Sequence, residues 1–179
     1  MSTPAVDRPR SGLVVPVPEA EPLVGPHRAA LDVNAALGVP AHVTVLFPFL
    51  DPADLDDDVL ARVAAVLATV PAFDHRFSVT DWFGTDVLWL APDDPSPFLA
   101  LTRAVHAAFP SHPPFGGVHG YDPVAHLTVG HGHDQDRLLA AEAAVRAGLP
   151  VQGRATEVRL LAQSSPGGTF AQVRSFPLR

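Results

Sequence analysis

The chain has 179 residues, 47% of them hydrophobic, which is enough apolar material for one real core. It has no cysteine, which excludes disulfides, thiolate metal sites and a cysteine nucleophile, and no lysine, which excludes a lysyl-nucleotide ligase intermediate and a Walker-type phosphate loop. A net charge of −7 opposes long-range attraction to a polyphosphate backbone, so no long duplex nucleic acid is expected, and any nucleic-acid ligand would be an end or a small nucleotide held locally.

Residues 1–11 show no periodicity and read as a flexible tail. Residues 12–18 read as a strand, with Pro16 implying an edge position or an early end. Residues 21–37 read as a helix with Val24, Leu31 and Ala35 on one stripe and Gly38 as its stop; His27 and Arg28 are expected on its solvated face. The stretch 39–49 is a strand in which alternation puts His42 and Thr44 on one face and Val43, Val45 and Phe47 on the other. Asp51-Pro52 then opens a helix to residue 70. Asp54, Asp56, Asp57 and Asp58 complement the dipole at its start, which accounts for this acid cluster better than a metal site does.

Phe73 to Phe83 alternates as a strand, residues 84–86 turn, and residues 87–90 return as a hairpin partner. Residues 96–109 read as a helix with Phe98, Leu101, Val105 and Phe109 inward, and 110–123 as a long loop. A second strand at 124–130 carries His126 and Thr128. A helix capped by Asp134 runs to Gly148, and strands near 154–163 and 169–177 flank the turn 165–168.

The two His-x-Thr strands are related by a constant offset: His42 to His126 and Thr44 to Thr128 are each 84 residues. The same shift carries the helix at 55–70 to 139–154, overlapping that read at 136–149, and the hairpin at 73–92 onto that at 157–176. The reading is an α+β, bilobal, duplicated fold: two antiparallel sheets with outer helices and a central cleft carrying both motifs. It makes 12–179 a single domain with pseudo-repeats at about 21–92 and 96–177.

His42-Val43-Thr44 and His126-Leu127-Thr128, each flanked by apolar residues, resemble the 2H phosphoesterase superfamily, and in particular the 2′-5′ RNA ligase-like proteins or RNA cyclic phosphodiesterases. The resemblance runs from about residue 12 to the C-terminus and implies the bilobal fold. It also implies action on 2′,3′-cyclic phosphates or 2′-5′ linkages of RNA ends or small nucleotides, with reverse 2′-5′ ligation as a companion activity. In the RNA cyclic phosphodiesterase branch a basic residue would follow the second motif soon, whereas here Gly130, His131 and Gly132 follow.

The chemistry of the residues agrees with that implication. Opening a phosphate ester needs a base for the attacking oxygen and an acid for the leaving one, and two imidazoles with ordinary pKa near ~6.5 can divide those tasks. Thr44 and Thr128 hydroxyls, two residues along on the same face, can donate to the non-bridging oxygens. His126 is expected to activate the water and His42 to protonate the leaving oxygen. Phe115 and Tyr121, on the long loop, are candidate substrate contacts. His119, His126, His131 and His133 raise the question of zinc, but no acidic ligand accompanies them at a telling spacing, and His131 shares the parity of Leu127 and Val129 and so should point away from His126. The expectation is an enzyme with no metal or cofactor; a binding module without turnover and a zinc hydrolase are the competing classes. No apolar run reaches the ~20 residues needed to cross a bilayer and no signal pattern opens the chain, so a cytoplasmic monomer is expected.

Overall fold

The computed structural model describes residues 8–117, 123–132 and 134–179. Among these residues the strands form two four-stranded antiparallel sheets. The first runs in the order β2 (His42–Leu46), β1 (Ser11–Pro16), β7 (Glu157–Gln163), β8 (Phe170–Pro177). The second runs β5 (Leu127–His131), β4 (Val87–Pro92), β3 (Phe73–Phe83), β6 (Val151–Ala155). Both motif strands are therefore edge strands, and they meet each other across the space between the sheets.

Helices cover the outsides: α1 (Glu21–Leu31), α2 (Val33–Ala36), α3 (Asp57–Leu67), α4 (Ser96–Ala108) and α5 (Gln135–Gly148). α3 and α4 pack together, against β8 and β2 respectively, while α1 and α5 pack together against β5. Each of α1 and α4 thus precedes one motif strand in sequence and supports the other in space. Leu13 and Val15 of β1, Val43 and Val45 of β2, and Leu127 and Val129 of β5 are buried in one continuous core with the helix stripes. A smaller cluster of Val14, Val39 and Leu161, with Phe170 against it, covers the opposite face of the first sheet. β1 is consequently buried on both faces, as an interior strand should be, and Pro16 marks its end rather than an edge position.

Three expected elements differ. The helix expected at 21–37 breaks at Asp32, whose backbone is extended (φ −125, ψ 107) and whose side chain accepts from the Asn34 amide to cap α2. The helix expected from Asp51 is a short 3-10 turn, Pro52–Asp54, capped by Asp51, followed by α3 with its own cap, Asp56, accepting from Val59 N at 2.8 Å. The acids therefore act as caps and first-turn charges, split between two starts. The strand expected at 154–163 is two: β6 pairs with β3 in one sheet, and after Thr156 β7 pairs with β1 and β8 in the other. The buried positions change parity here, odd through Ala155 and even from Val158, so the adjacent polar residues Thr156 and Glu157 mark the break, but a change of parity does not say which neighbour each strand will take.

The 84-residue shift carries β3 and β4 onto β7 and β8, yet the sheets place them differently. β4 lies between β3 and its motif strand, whereas β8 forms the outer edge of its sheet and β1 occupies the place beside the motif strand.

Candidate active site

Each motif strand carries a β-bulge at the same place. Leu13 pairs with Leu46 and Val14 with Thr44, so Val45 is an extra residue in β2; Leu88 pairs with Gly130 and Trp89 with Thr128, so Val129 is an extra residue in β5. A bulge breaks the two-residue alternation, so the residues after it change face. Val45 and Leu46 are both buried in the core, and a Cβ on Gly130 would come within 2.7 Å of Leu138, also in the core. Phe47 and His131 consequently line the cleft, which corrects the expectation that both point away from it. Gly12 permits this for Phe47, since a Cβ there would lie 2.7 Å from the Phe47 ring.

The two histidines are anchored identically. His42 Nδ1 lies 2.7 Å from Pro40 O, and His126 Nδ1 lies 2.7 Å from Val124 O. A carbonyl oxygen only accepts, so in each ring Nδ1 carries the hydrogen and Nε2 is the nitrogen that can exchange a proton with a ligand. His42, Thr44, His126 and Thr128 line one recess of about 180 Å³, floored by Val14, Leu161 and other apolar residues of the first sheet. Phe115 also lines it, on backbone in the left-handed region (φ 52) and with its amide donating to Phe47 O at 2.7 Å.

Behind His42 stands a buried ion pair. Arg28 and Asp32, one helical turn apart, are each 2% exposed in their side chains and meet at 2.9 Å. Arg28 also donates to Val39 O at 3.0 Å, while Glu21 Oε1 accepts from Ala41 N at 2.6 Å. α1 therefore grips the residues on either side of Pro40, whose carbonyl orients His42. The expectation of Arg28 on a solvated face is overturned because its carboxylate partner and the Val39 carbonyl satisfy the guanidinium inside. Burial lowers the His42 pKa to about 4; the Pro40 hydrogen bond opposes this, the nearby Arg28 cation adds to it, and Asp32 offsets part of that cation.

His126 has different surroundings. Phe83 meets its ring edge-on at 5.0 Å, Trp89 at 5.9 Å, and Phe115 lies nearly parallel to it at 6.1 Å. It borders a second, larger recess of about 630 Å³ whose walls include Trp82, Phe83, Phe115 and His131.

The structure thus brings together His42, Thr44, His126, Thr128 and Phe115. Tyr121, His119 and His133 lie outside the described residues, among which no group of three or more His, Asp or Glu side chains is placed to hold a metal ion. Asp32, Phe47, Phe83 and His131 are wall residues that sequence reasoning missed. Only the Arg28–Asp32 pair had a legible signal, its i,i+4 spacing.

A family model for the 2′-5′ RNA ligase superfamily matches residues 15–166. Among solved structures, TT0787 of Thermus thermophilus is similar with a TM-score of 0.59 and 19% identity, covering 95% of this chain and 98% of that one. E. coli LigT complexed with 3′-AMP is similar with a TM-score of 0.57 and 14% identity, covering 94% and 97%. At these identities the likeness is one of fold. No curated protein matches the sequence significantly. No helix among the described residues is long and apolar enough to cross a membrane.

Proposed function

The chain belongs to the 2′-5′ RNA ligase superfamily, and from that premise we propose that it is a metal-independent phosphodiesterase acting on 2′,3′-cyclic phosphates or 2′-5′ linkages of RNA ends or small nucleotides. The observation that carries this reading is the pair of imidazoles, each held through Nδ1 by the carbonyl two residues before it, lining one recess with two threonines. The LigT structure with 3′-AMP supports a small nucleotide as the ligand class.

In hydrolysis of a cyclic phosphate, Nε2 of one histidine takes a proton from water as the water oxygen bonds to phosphorus. The bond from phosphorus to one ribose oxygen breaks, and the other histidine gives that oxygen a proton. Thr44 and Thr128 donate to the non-bridging oxygens, where charge builds. The lowered pKa of His42 keeps it neutral near pH 7, which supports His42 as the base and His126 as the acid. This reverses the division expected from sequence, because burial and the Arg28 cation favour the neutral form of His42. In reverse ligation a 5′-hydroxyl replaces water as the attacking group, and microscopic reversibility exchanges the two roles when that linkage is cleaved again. The enzyme is read as a monomer, complete with one chain's two histidines.

The test is a panel of nucleoside 2′,3′-cyclic phosphates and 2′-5′ dinucleotides incubated with the purified protein, with and without exhaustive chelation. Turnover that survives chelation supports the reading. Tight binding without turnover would make the protein a binding module, and activity lost with chelator and restored by zinc would make it a metallohydrolase.

A further inference from the structure

We propose that the larger recess beside His126 is a nucleobase subsite with Phe83 as its stacking face, receiving the uncharged nucleoside part of a substrate whose phosphate lies between the two motif histidines. This rests on the phosphodiesterase reading and names what surrounds the phosphate. The recess shared by the histidines, about 180 Å³, suits a phosphate group, whereas the neighbouring one, about 630 Å³, falls in the range of sites for whole small molecules. Asp32, Asn34, Phe115, His126 and Thr128 line both, so one ligand can extend from one into the other.

The walls of the larger recess are chemically specific. Phe83 is 37% exposed although it is large and apolar, and its ring is stacked on buried Trp89 at 4.7 Å with 23° between planes. A partly exposed aromatic ring that is backed by a buried indole and lines the recess is what a heteroaromatic base stacks on. The strand end that carries it is tied down: Thr80 Oγ1 and Trp82 Nε1 donate to the same Glu142 oxygen at 2.7 and 3.1 Å. Beside it Gly84, in the left-handed region at φ 58, has no atom of another described residue beyond its chain neighbours within 4 Å of where a Cβ would be, which leaves the rim unobstructed. Asn34 and His131 provide the polar groups that can reach the edge of a base.

Charge defines the ligand further. Among the described residues no arginine lines this recess, the sequence has no lysine, and the carboxylate at its border is Asp32. A second phosphate would find no guanidinium or ammonium group in those walls. The ligand carries one phosphate, at the histidines, and a neutral nucleoside beyond it.

The experiment compares kcat/KM for adenosine 2′,3′-cyclic phosphate and for methyl riboside 2′,3′-cyclic phosphate, which lacks a base, in the parent, Phe83→Ala and Phe83→Tyr proteins. The parent should prefer the nucleoside by about 5- to 100-fold, the range of one base–aromatic stack, mainly through KM. Phe83→Ala should collapse that preference and Phe83→Tyr should keep it. An unchanged preference in Phe83→Ala, or an equal loss on both substrates showing that Phe83 acts only by packing on His126, overturns the subsite. Adding a 5′-phosphate to the nucleoside should not lower KM; a lower KM would overturn the uncharged-nucleoside assignment. If no protein turns over either substrate, the phosphodiesterase reading fails separately. Calorimetric binding of adenosine 3′-monophosphate to the parent and Phe83→Ala proteins then decides the subsite, equal affinities refuting it.

Discussion

At the first motif strand the histidine is held from behind by a helix, whereas at the second it is bordered in front by aromatic rings. His42 has the Arg28–Asp32 pair, Glu21 and the Val39 carbonyl arranged around the segment that orients it; His126 has Phe83, Trp89 and Phe115 around its ring. Yet the carbonyl anchors match and the bulges fall at equivalent residues, Val45 and Val129. The same local geometry therefore stands in two different surroundings, and at His42 burial and the Arg28 cation favour the neutral ring.

The largest effect should come from removing either ring. His42→Ala and His126→Ala should each lower kcat by about 10²–10⁴-fold, and the double mutant should be little worse than the worse single one, because the two act as a unit. Full activity in purified His42→Ala would refute the two-histidine mechanism.

The support behind His42 can be broken separately. Arg28→Met leaves the Asp32 carboxylate buried without its cation and should cost about 3–5 kcal/mol in urea unfolding, whereas replacing both partners with apolar residues should cost much less. No comparable loss should follow at the second strand from Phe115→Leu.

Acid should separate the two sides next. His42 folds with a pKa of about 4 against an ordinary 6.5, so the folded state binds fewer protons than the unfolded one between those values. Its contribution to stability is present above about 6.5 and is lost as pH falls toward about 4. Buried His75, also lowered by desolvation, acts in the same direction. In the rate profile the acid limb should lie below the ordinary histidine range. Removing the Arg28 cation should move it upward, since that cation favours neutral His42; limbs report the coupled pair, so the shift rather than the absolute value is the readout.

The smallest effect should come from the hydroxyls. Thr44→Val or Thr128→Val removes one neutral donor to the phosphate while both proton transfers remain, and should cost about 10- to 100-fold in kcat. A loss equal to that of the histidine mutants would mean that the threonines do more than donate.

Much of this was legible in the chain because it is local. The His-x-Thr strands, the hairpin at 73–92, the helix starts at Ser96 and Asp134 and the capping use of the acids after Asp51 depend on alternation, periodicity and neighbouring polar atoms. Arg28 was misplaced because a stripe of apolar residues does not reveal that a charged side chain beside it has a buried partner four residues on.

By itself the sequence determined the kinds of side chain available to the cleft and, through the two-residue period of a strand, that each histidine and its threonine share a face. The tertiary structure alone decided that Phe47 and His131 turn into the cleft, because a bulge exists only relative to a partner strand. It also decided that β6 and β7 separate into different sheets, and that Phe83 opens on the recess beside His126, since strand pairing and the packing of one sheet against another are contacts between distant segments that no local pattern encodes.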